Sequence, residues 1–382
     1  MSHVLSGVKI LDFSTLLPGP MATLLLAEVG ADVIKLERPR EGELARSSEP
    51  QWGKVGANFA MLNRGKKSVE VDLKNAEHIQ LLEPLIRQAD VLVEQFRPGV
   101  MARVGLGYEQ VRAINPNIIY CSITGYGQNG PDALRAGHDL NYIADAGLLS
   151  LGYGSEAAPS LPPALIADIA GGAYPAVINI LLALRARDMN GEGCHIDIAM
   201  CENVLPFTYW AYGQGLSTGH WAGNGGGKVT GQSPRYRLYK TRDNKIAAVA
   251  ALEQKFWESL CDILQLDPAL RDDTVDPEAT GQAVARGLAS KDASHWESEF
   301  AEADCCCTIM RSLEEAVDDA HLNARGVFDA VTQDSEGHRI KALPVPIQPA
   351  FRANLGVAKL SKLGEDNNLL GASWTVSIAQ GG

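Results

Sequence analysis

The first 125 residues alternate short apolar runs with amphipathic stretches. VKILDF (8–13), ADVIKLE (31–37), VLVEQF (91–96) and IIYCSITGYG (118–127) are near-continuous apolar runs with the length of strands buried on both faces. PGPMATLLLAEVG follows the first run, with proline at its start and glycine at its end, which is the asymmetry of a helix. NAEHIQLLEPLIRQAD sets Ile79, Leu82 and Ile86 at helical spacing, with Leu81 and Leu85 beside them. This alternation predicts βαβ units, hence an α/β fold built on an open, parallel, Rossmann-like sheet. No GxGxxG follows the first strand, so the pattern does not point to a nicotinamide dinucleotide.

Further along, a Pro-rich break (155–165) precedes a long helical stretch over 168–188, and GEGCHIDIAM reads as a turn and a strand. The glycine-rich passage after it, about 20 residues, is too long for an ordinary connection and reads as a linker over 213–234. Beyond it, one hairpin turns at Arg242–Asp243–Asn244, helical segments run to about 326, and a second hairpin turns at DSEG. The expected organisation is a large domain over 1–212, completed by a C-terminal return over 327–382, with a smaller α+β domain over 235–326 between them.

Composition narrows the partners. Hydrophobic residues make up 46% and charged residues 21%, as in a globular chain with a sizeable core. A formal charge of −12 argues against nucleic acid or an anionic membrane as the main partner, while leaving room for one local anion site. No segment approaches the roughly 20 apolar residues of a membrane span, and the first residues do not read as a signal peptide. Seven cysteines, an odd number, do not form a disulfide framework, and the expected compartment is the reducing cytoplasm. The run Cys305–Cys307 lacks the spacing of a metal site and reads as plain thiols.

Candidate chemistry gathers where strands end. Arg38, Arg64, Lys66, Lys67, Lys74, Arg97 and Arg103 follow strand signals or lie near them. Ligands of open α/β sheets bind at the carboxyl ends of strands, so the set favours a phosphorylated ligand, although each residue alone reads as a solvated loop cation. His138 and Asp139 stand at a helix start, where a structural histidine and a capping acid are the ordinary reading. Asp168 opens a helix followed by Ala170, Gly171 and Gly172; it reads equally as an N-cap or as a site where a ligand approaches small residues and free N–H groups. Glu253 alone reads as a first-turn glutamate.

Several long blocks carry a resemblance. LPGPMATLLLAEVGADVIKLERP, NRGKKSVEVDLK, ADVLVEQFRPGVMARVGLGYE and NPNIIYCSITGYGQNGP resemble successive blocks of the class III CoA-transferase family, which also contains the α-methylacyl-CoA racemases. The resemblance implies that Arg38, Leu73, Lys74, Gln95, Phe96, Arg97 and Arg103 hold coenzyme A, which arrives as part of the acyl-CoA substrate, with no permanently bound cofactor and no metal. It implies an interlocked homodimer with its active site between the large domain of one chain and the small domain of the other. Asp168, in ADIAGG, matches the family's aspartate nucleophile. His138 and Asp139, in GHDLNY, and Glu253, in ALEQKFW, match the additional residues of the racemase branch, where transferases usually carry an aromatic residue in place of His138. Glycine-rich Gly225–Gly227 resembles instead a loop of some transferases. The expected activity is therefore 2-methylacyl-CoA racemisation by two-base proton transfer, with CoA transfer through an aspartyl anhydride as the alternative.

Overall fold

The structure, a computed structural model, describes residues 3–353 and 356–374. It divides into two compact units, one of Met1–Ala146, Ala164–Leu205 and Ala320–Gly382, the other of Gly147–Pro163 and Pro206–Asp319. The expected boundary at 212/213 falls inside the helix Tyr209–Thr218, because the glycines at 213 and 215 continue the helix instead of ending it. Residues 147–163, which sequence places in the large domain, belong to the second unit.

The first unit is built on a six-stranded sheet: β1 (Lys9–Asp12), β2 (Asp32–Glu37), β3 (Lys67–Glu70), β4 (Val91–Glu94), β5 (Ile119–Thr124) and β6 (Cys194–Ala199). Every pairing is parallel and the order is β3-β2-β1-β4-β5-β6. The four strands read from apolar runs are present, and β3 and β6 complete the sheet. The order reverses at β1, so a crevice opens between the carboxyl ends of β1 and β4, the place where doubly wound sheets bind ligands. Helix α1 (Pro18–Glu28) follows β1 with proline in its first turn. The helix expected over 75–90 is broken at Leu82 into Ala76–Leu81 and Glu83–Gln88, since Pro84 has no N–H to continue the ladder and suits a new first turn. Leu11, Ile34, Val69, Leu92, Leu82, Leu85 and Tyr120 form the core on one side.

Residues Ala167–Asn190 form one continuous helix, long and apolar enough by length and composition to cross a membrane, contrary to the sequence expectation. Its Ala176, Ile180, Ala183 and Leu184 are buried against α1 and strands β5 and β6, as in a core helix. The C-terminal return contains the second expected hairpin, Val331–Gln333 with Arg339–Lys341, and a parallel third strand, Val357–Lys359.

The second unit holds the first expected hairpin, Tyr236–Lys240 with Ile246–Ala250, its turn placing Asn244 at φ 60°. Cys307–Ile309 adds an antiparallel third strand. Three helices pack Trp257, Leu260, Val284, Leu288 and Trp296 beside it. All seven cysteines are free, and among the described residues no group of His, Cys, Asp or Glu could hold a metal ion.

Candidate active site

A cavity of about 480 Å³ opens at the carboxyl ends of four neighbouring strands. Phe13, Thr15 and Leu16 line it after β1, Arg38 and Gly42–Leu44 after β2, Val71–Lys74 after β3, and Phe96, Val100 and Val104 after β4. Four of the seven residues expected to hold coenzyme A meet here: Arg38, Leu73, Lys74 and Phe96. Arg38 is exposed and pairs with the exposed Glu41 at 3.6 Å. Such a cation keeps its charge available for a phosphate. Gln95 lies behind the wall, its Oε1 accepting from Gly19 N–H at 3.0 Å at the start of α1. Arg97 and Arg103 are exposed outside the lining, with Arg97 within electrostatic reach of Tyr142.

Three basic residues read as candidate phosphate binders are committed elsewhere. Arg64 donates to Glu28 at 2.7 Å, Lys66 pairs with Asp12 at 3.1 Å, and Lys67 with Asp32 at 2.7 Å. Arg64 and Lys66 are buried, because the NRG turn folds them under α1 instead of out from the strand ends. Beneath the cavity, Asp12, Lys35, Glu43 and Lys66 form a buried set of two acids and two cations. Burial acts to raise the Asp12 carboxyl, but Lys35, Lys66 and the hydroxyls of Ser14 and Thr23 hold it well below the usual carboxylate range. Burial lowers Lys66 to about 8 in spite of Asp12. Little in the sequence marks this set: Lys35 sits inside an apolar strand run and Glu43 in a loop.

The second cluster lies on α2 (Asp139–Asp145) and the opening of the long helix. His138 is the N-cap of α2, and Asn141 Oδ1 accepts from its backbone N–H at 3.0 Å. The exposed imidazole is left for other work. Gly125 and Gly137 make room for Tyr142, whose ring would lie 2.3 and 2.7 Å from added Cβ atoms, and Tyr142 donates to Gly137 O at 2.5 Å. That bond fixes the turn carrying His138.

Asp168 belongs to the wide, π-helical first turns of the long helix, Ala167–Ala173, and is not an N-cap. Such turns leave carbonyls unpaired, and Asn203 Nδ2 donates to Gly171 O at 2.9 Å. Gly171 and Gly172 serve packing rather than ligand approach: a Cβ on Gly171 would sit 2.6 Å from Met200 O, and one on Gly172 would be 3.0 Å from Pro18 Cβ. The N–H of Asp168 is also taken, donating to the buried Asp139 carboxylate at 2.9 Å. It is not open to an oxyanion.

Asp168 is half-buried, and its carboxyl is pushed up to about 6, first by burial and then by the like charge of Asp139, against a smaller opposing pull from His138. His138 and Asp168 are thus within electrostatic reach, and the acid titrates close to neutrality. The segment from Ser14 to Gly19 borders both sites, lining the cavity at one end and packing Pro18 against Gly172 at the other. Glu253 belongs to the second unit, exposed as the N-cap of Gln254–Ile263, not within its first turn. The glycines of 225–227 belong to that unit, where Gly227 packs against Trp210.

Known proteins match throughout. The family CoA-transferase family III matches residues 5–367. Alpha-methylacyl-CoA racemase of Homo sapiens is 33% identical over 359 residues, covering 91% of this chain and 89% of that protein. Succinyl-CoA:glutarate CoA-transferase of Homo sapiens is 36% identical over 271 residues, covering 71% of this chain and 61% of that one. Among solved structures, a CaiB/BaiF family protein from Brucella suis superposes with a TM-score of 0.83 at 27% identity, covering 96% of this chain and 98% of that one. With the strand-end cavity, the half-buried aspartate and these matches together, the chain belongs to the CoA-transferase family III, whose racemase and transferase members it resembles at similar levels.

Proposed function

We propose that the protein is a 2-methylacyl-CoA racemase, inverting the carbon α to the thioester through an enolate. The observation that carries this is an Asp168 carboxyl at about 6 within electrostatic reach of the exposed His138 imidazole. Inversion needs two groups, each able to hold or release a proton near neutral pH. An ordinary carboxylate is too weak a base and too fully ionised to return a proton. Asp168, raised by burial and Asp139, can do both. In one direction neutral His138 removes the α-proton and protonated Asp168 delivers one to the opposite face; in the other the roles reverse. Asp139 holds the Asp168 backbone and tunes its charge. Glu253 receives the orienting role that the resemblance implies.

Coenzyme A takes the 480 Å³ cavity, with Arg38 and Lys74 at its charged rim and Leu73 and Phe96 along the apolar wall. Gln95, Arg97 and Arg103 are assigned the neighbouring contacts. A homodimer fits the exposed apolar stripe of the long helix, Ile178, Leu181, Leu182 and Met189, at 57, 41, 62 and 74% exposure, which a second copy would cover. Seven free thiols favour the cytoplasm.

CoA transfer remains the second reading, because the same Asp168 could attack a thioester and the transferase relative is 36% identical. The two separate on His138→Ala in the presence of acyl-CoA and hydroxylamine. The racemase reading expects loss of epimerisation and no acyl-hydroxamate from Asp168 in the wild type. Hydroxamate formation that survives His138→Ala would replace it with the transferase.

A further inference from the structure

Leu16 sits at φ 63°, one of five non-glycine residues with positive φ among the described residues. The Cβ of an L-residue crowds the following carbonyl there, and leucine has no short polar group to offset it. Such a backbone persists where its surroundings hold it. Here the holder is Glu43, whose Oε1 accepts from Leu16 N–H at 2.6 Å. Its other oxygen lies 2.5 Å from Lys35 Nζ, and Lys35 also donates to Ser14 O at 2.9 Å. Glu43 N–H donates to Glu37 Oε2 at 3.1 Å, and Arg46 clamps Glu37 with two bonds of 2.6 and 2.7 Å. Lys35 and Glu43 are 1% and 4% exposed, so water does not weaken the clamp. Thr15, Leu16, Gly42, Glu43 and Leu44 line the same cavity, on walls that follow two different strands.

We infer that Glu43 is a positioning residue for coenzyme A: through Leu16 N–H it ties the wall after β1 to the wall after β2 and sets the width of the cavity. This rests on the reading of that cavity as the coenzyme A site. Glu43 acts through the loop and touches no reacting atom. Its loss should therefore weaken binding of every CoA thioester while sparing the proton-transfer step.

The test measures the Kd of free coenzyme A by calorimetry, and kcat and KM separately, in three variants. Glu43→Gln keeps an oxygen for Leu16 N–H but cannot pair with Lys35. Leu16→Pro removes the N–H and forbids positive φ without touching the buried ions. Each should raise Kd and KM about tenfold or more, the value of one charge-assisted hydrogen bond, with kcat within about twofold. Leu16→Gly adopts the left-handed conformation without strain, so Glu43→Gln should cost less in that background. A merely structural Glu43 would lower kcat and melting temperature equally in both backgrounds, which would overturn the inference. So would unchanged coenzyme A affinity in Leu16→Pro, which decides the matter even if Glu43→Gln does not fold. A wild type that binds no coenzyme A would remove the cavity reading and this inference together. A wild type that binds while both variants bind equally well would remove the inference alone.

Discussion

Asp139→Asn isolates the charge that helps raise Asp168. The Asp168 carboxyl moves from 3.8 to about 6, with burial the larger cause and Asp139 the second. Asp139 is the second cause of a net rise of about two pH units that His138 partly opposes, so its share is on the order of one unit, or ~1.4 kcal/mol. Coulomb's law allows that size: two like charges about 5 Å apart at an effective dielectric of about 20 repel by ~3 kcal/mol, and partial exposure reduces it further. Asparagine retains an oxygen for the Asp168 N–H that Asp139 Oδ1 accepts at 2.9 Å, so the backbone should stay in place. The assay is α-proton exchange of a 2-methylacyl-CoA, followed as kcat/KM against pH. The active form carries one proton shared between His138 and Asp168, in either arrangement, so both directions of inversion follow one bell-shaped profile. Asp168 dominates the acid limb. Asp139→Asn should move the acid limb down by between about half a unit and one unit and the alkaline limb less. An acid limb that stays in place or moves up would refute the electrostatic role of Asp139.

Other outcomes follow from the same geometry. Glu253→Gln should lower kcat with little change in KM, since Glu253 is assigned to orienting the imidazole; steady-state kinetics on one enantiomer shows it. Gly19→Ala should cost about 1–3 kcal/mol or more, seen as a lower melting temperature, because its Cβ would lie 2.1 Å from Ser14 Cβ and 2.9 Å from Gln95 Oε1. Glu94, buried behind Phe96, is raised by burial to about 7. Between its unfolded value near 4.5 and about 7 the folded state binds the extra proton, so this group lowers stability as pH rises through that window, by about 3 kcal/mol in full. Glu94→Gln should therefore raise the melting temperature at pH 8 more than at pH 5, and equal shifts at both would count against the buried carboxylate. Saturating coenzyme A should raise the wild-type melting temperature, and Arg38→Ala should diminish that rise.

The sheet was legible because β1, β2, β4 and β5 are buried on both faces, so apolar runs mark them without help from distant residues. One strand was harder. KSVE (67–70) is short and polar at both ends, since its outer lysine and glutamate reach partners across the sheet edge. CHIDIA (194–199) was read as a strand after its turn, and it alternates, with His195 stacked on Tyr108. The boundary of the second unit was misplaced because glycine marks flexibility in a sequence, whereas here glycines 213 and 215 lie inside a helix and Gly215 makes room for Trp221.

The block resemblance and the strand ends together named Arg38, Leu73, Lys74 and Phe96, which the structure brings to one cavity. They also led to Lys66, because a lysine after a strand and a lysine under a helix look alike until Asp12 is placed beside one of them. Thr15, Leu16 and Glu43 were missed. Their part depends on a positive φ and on a carboxylate turned inward from a loop, and neither leaves a spacing that a sequence displays. His138 and Asp168 were legible as types and positions. The closeness of Asp139 to the Asp168 backbone, which adds to the burial that raises the carboxyl, was not.

One measurement bears most directly on the proposed activity. A single enantiomer of a 2-methylacyl-CoA is incubated with the protein in heavy water, with no acceptor acid present, and the α-carbon is followed by mass and chirality together. Two-base transfer at His138 and Asp168 predicts one deuterium at that carbon and a drift to equal amounts of both hands. No deuterium and no inversion, while an added carboxylic acid is converted to its CoA thioester, would contradict the racemase and leave Asp168 as a nucleophile.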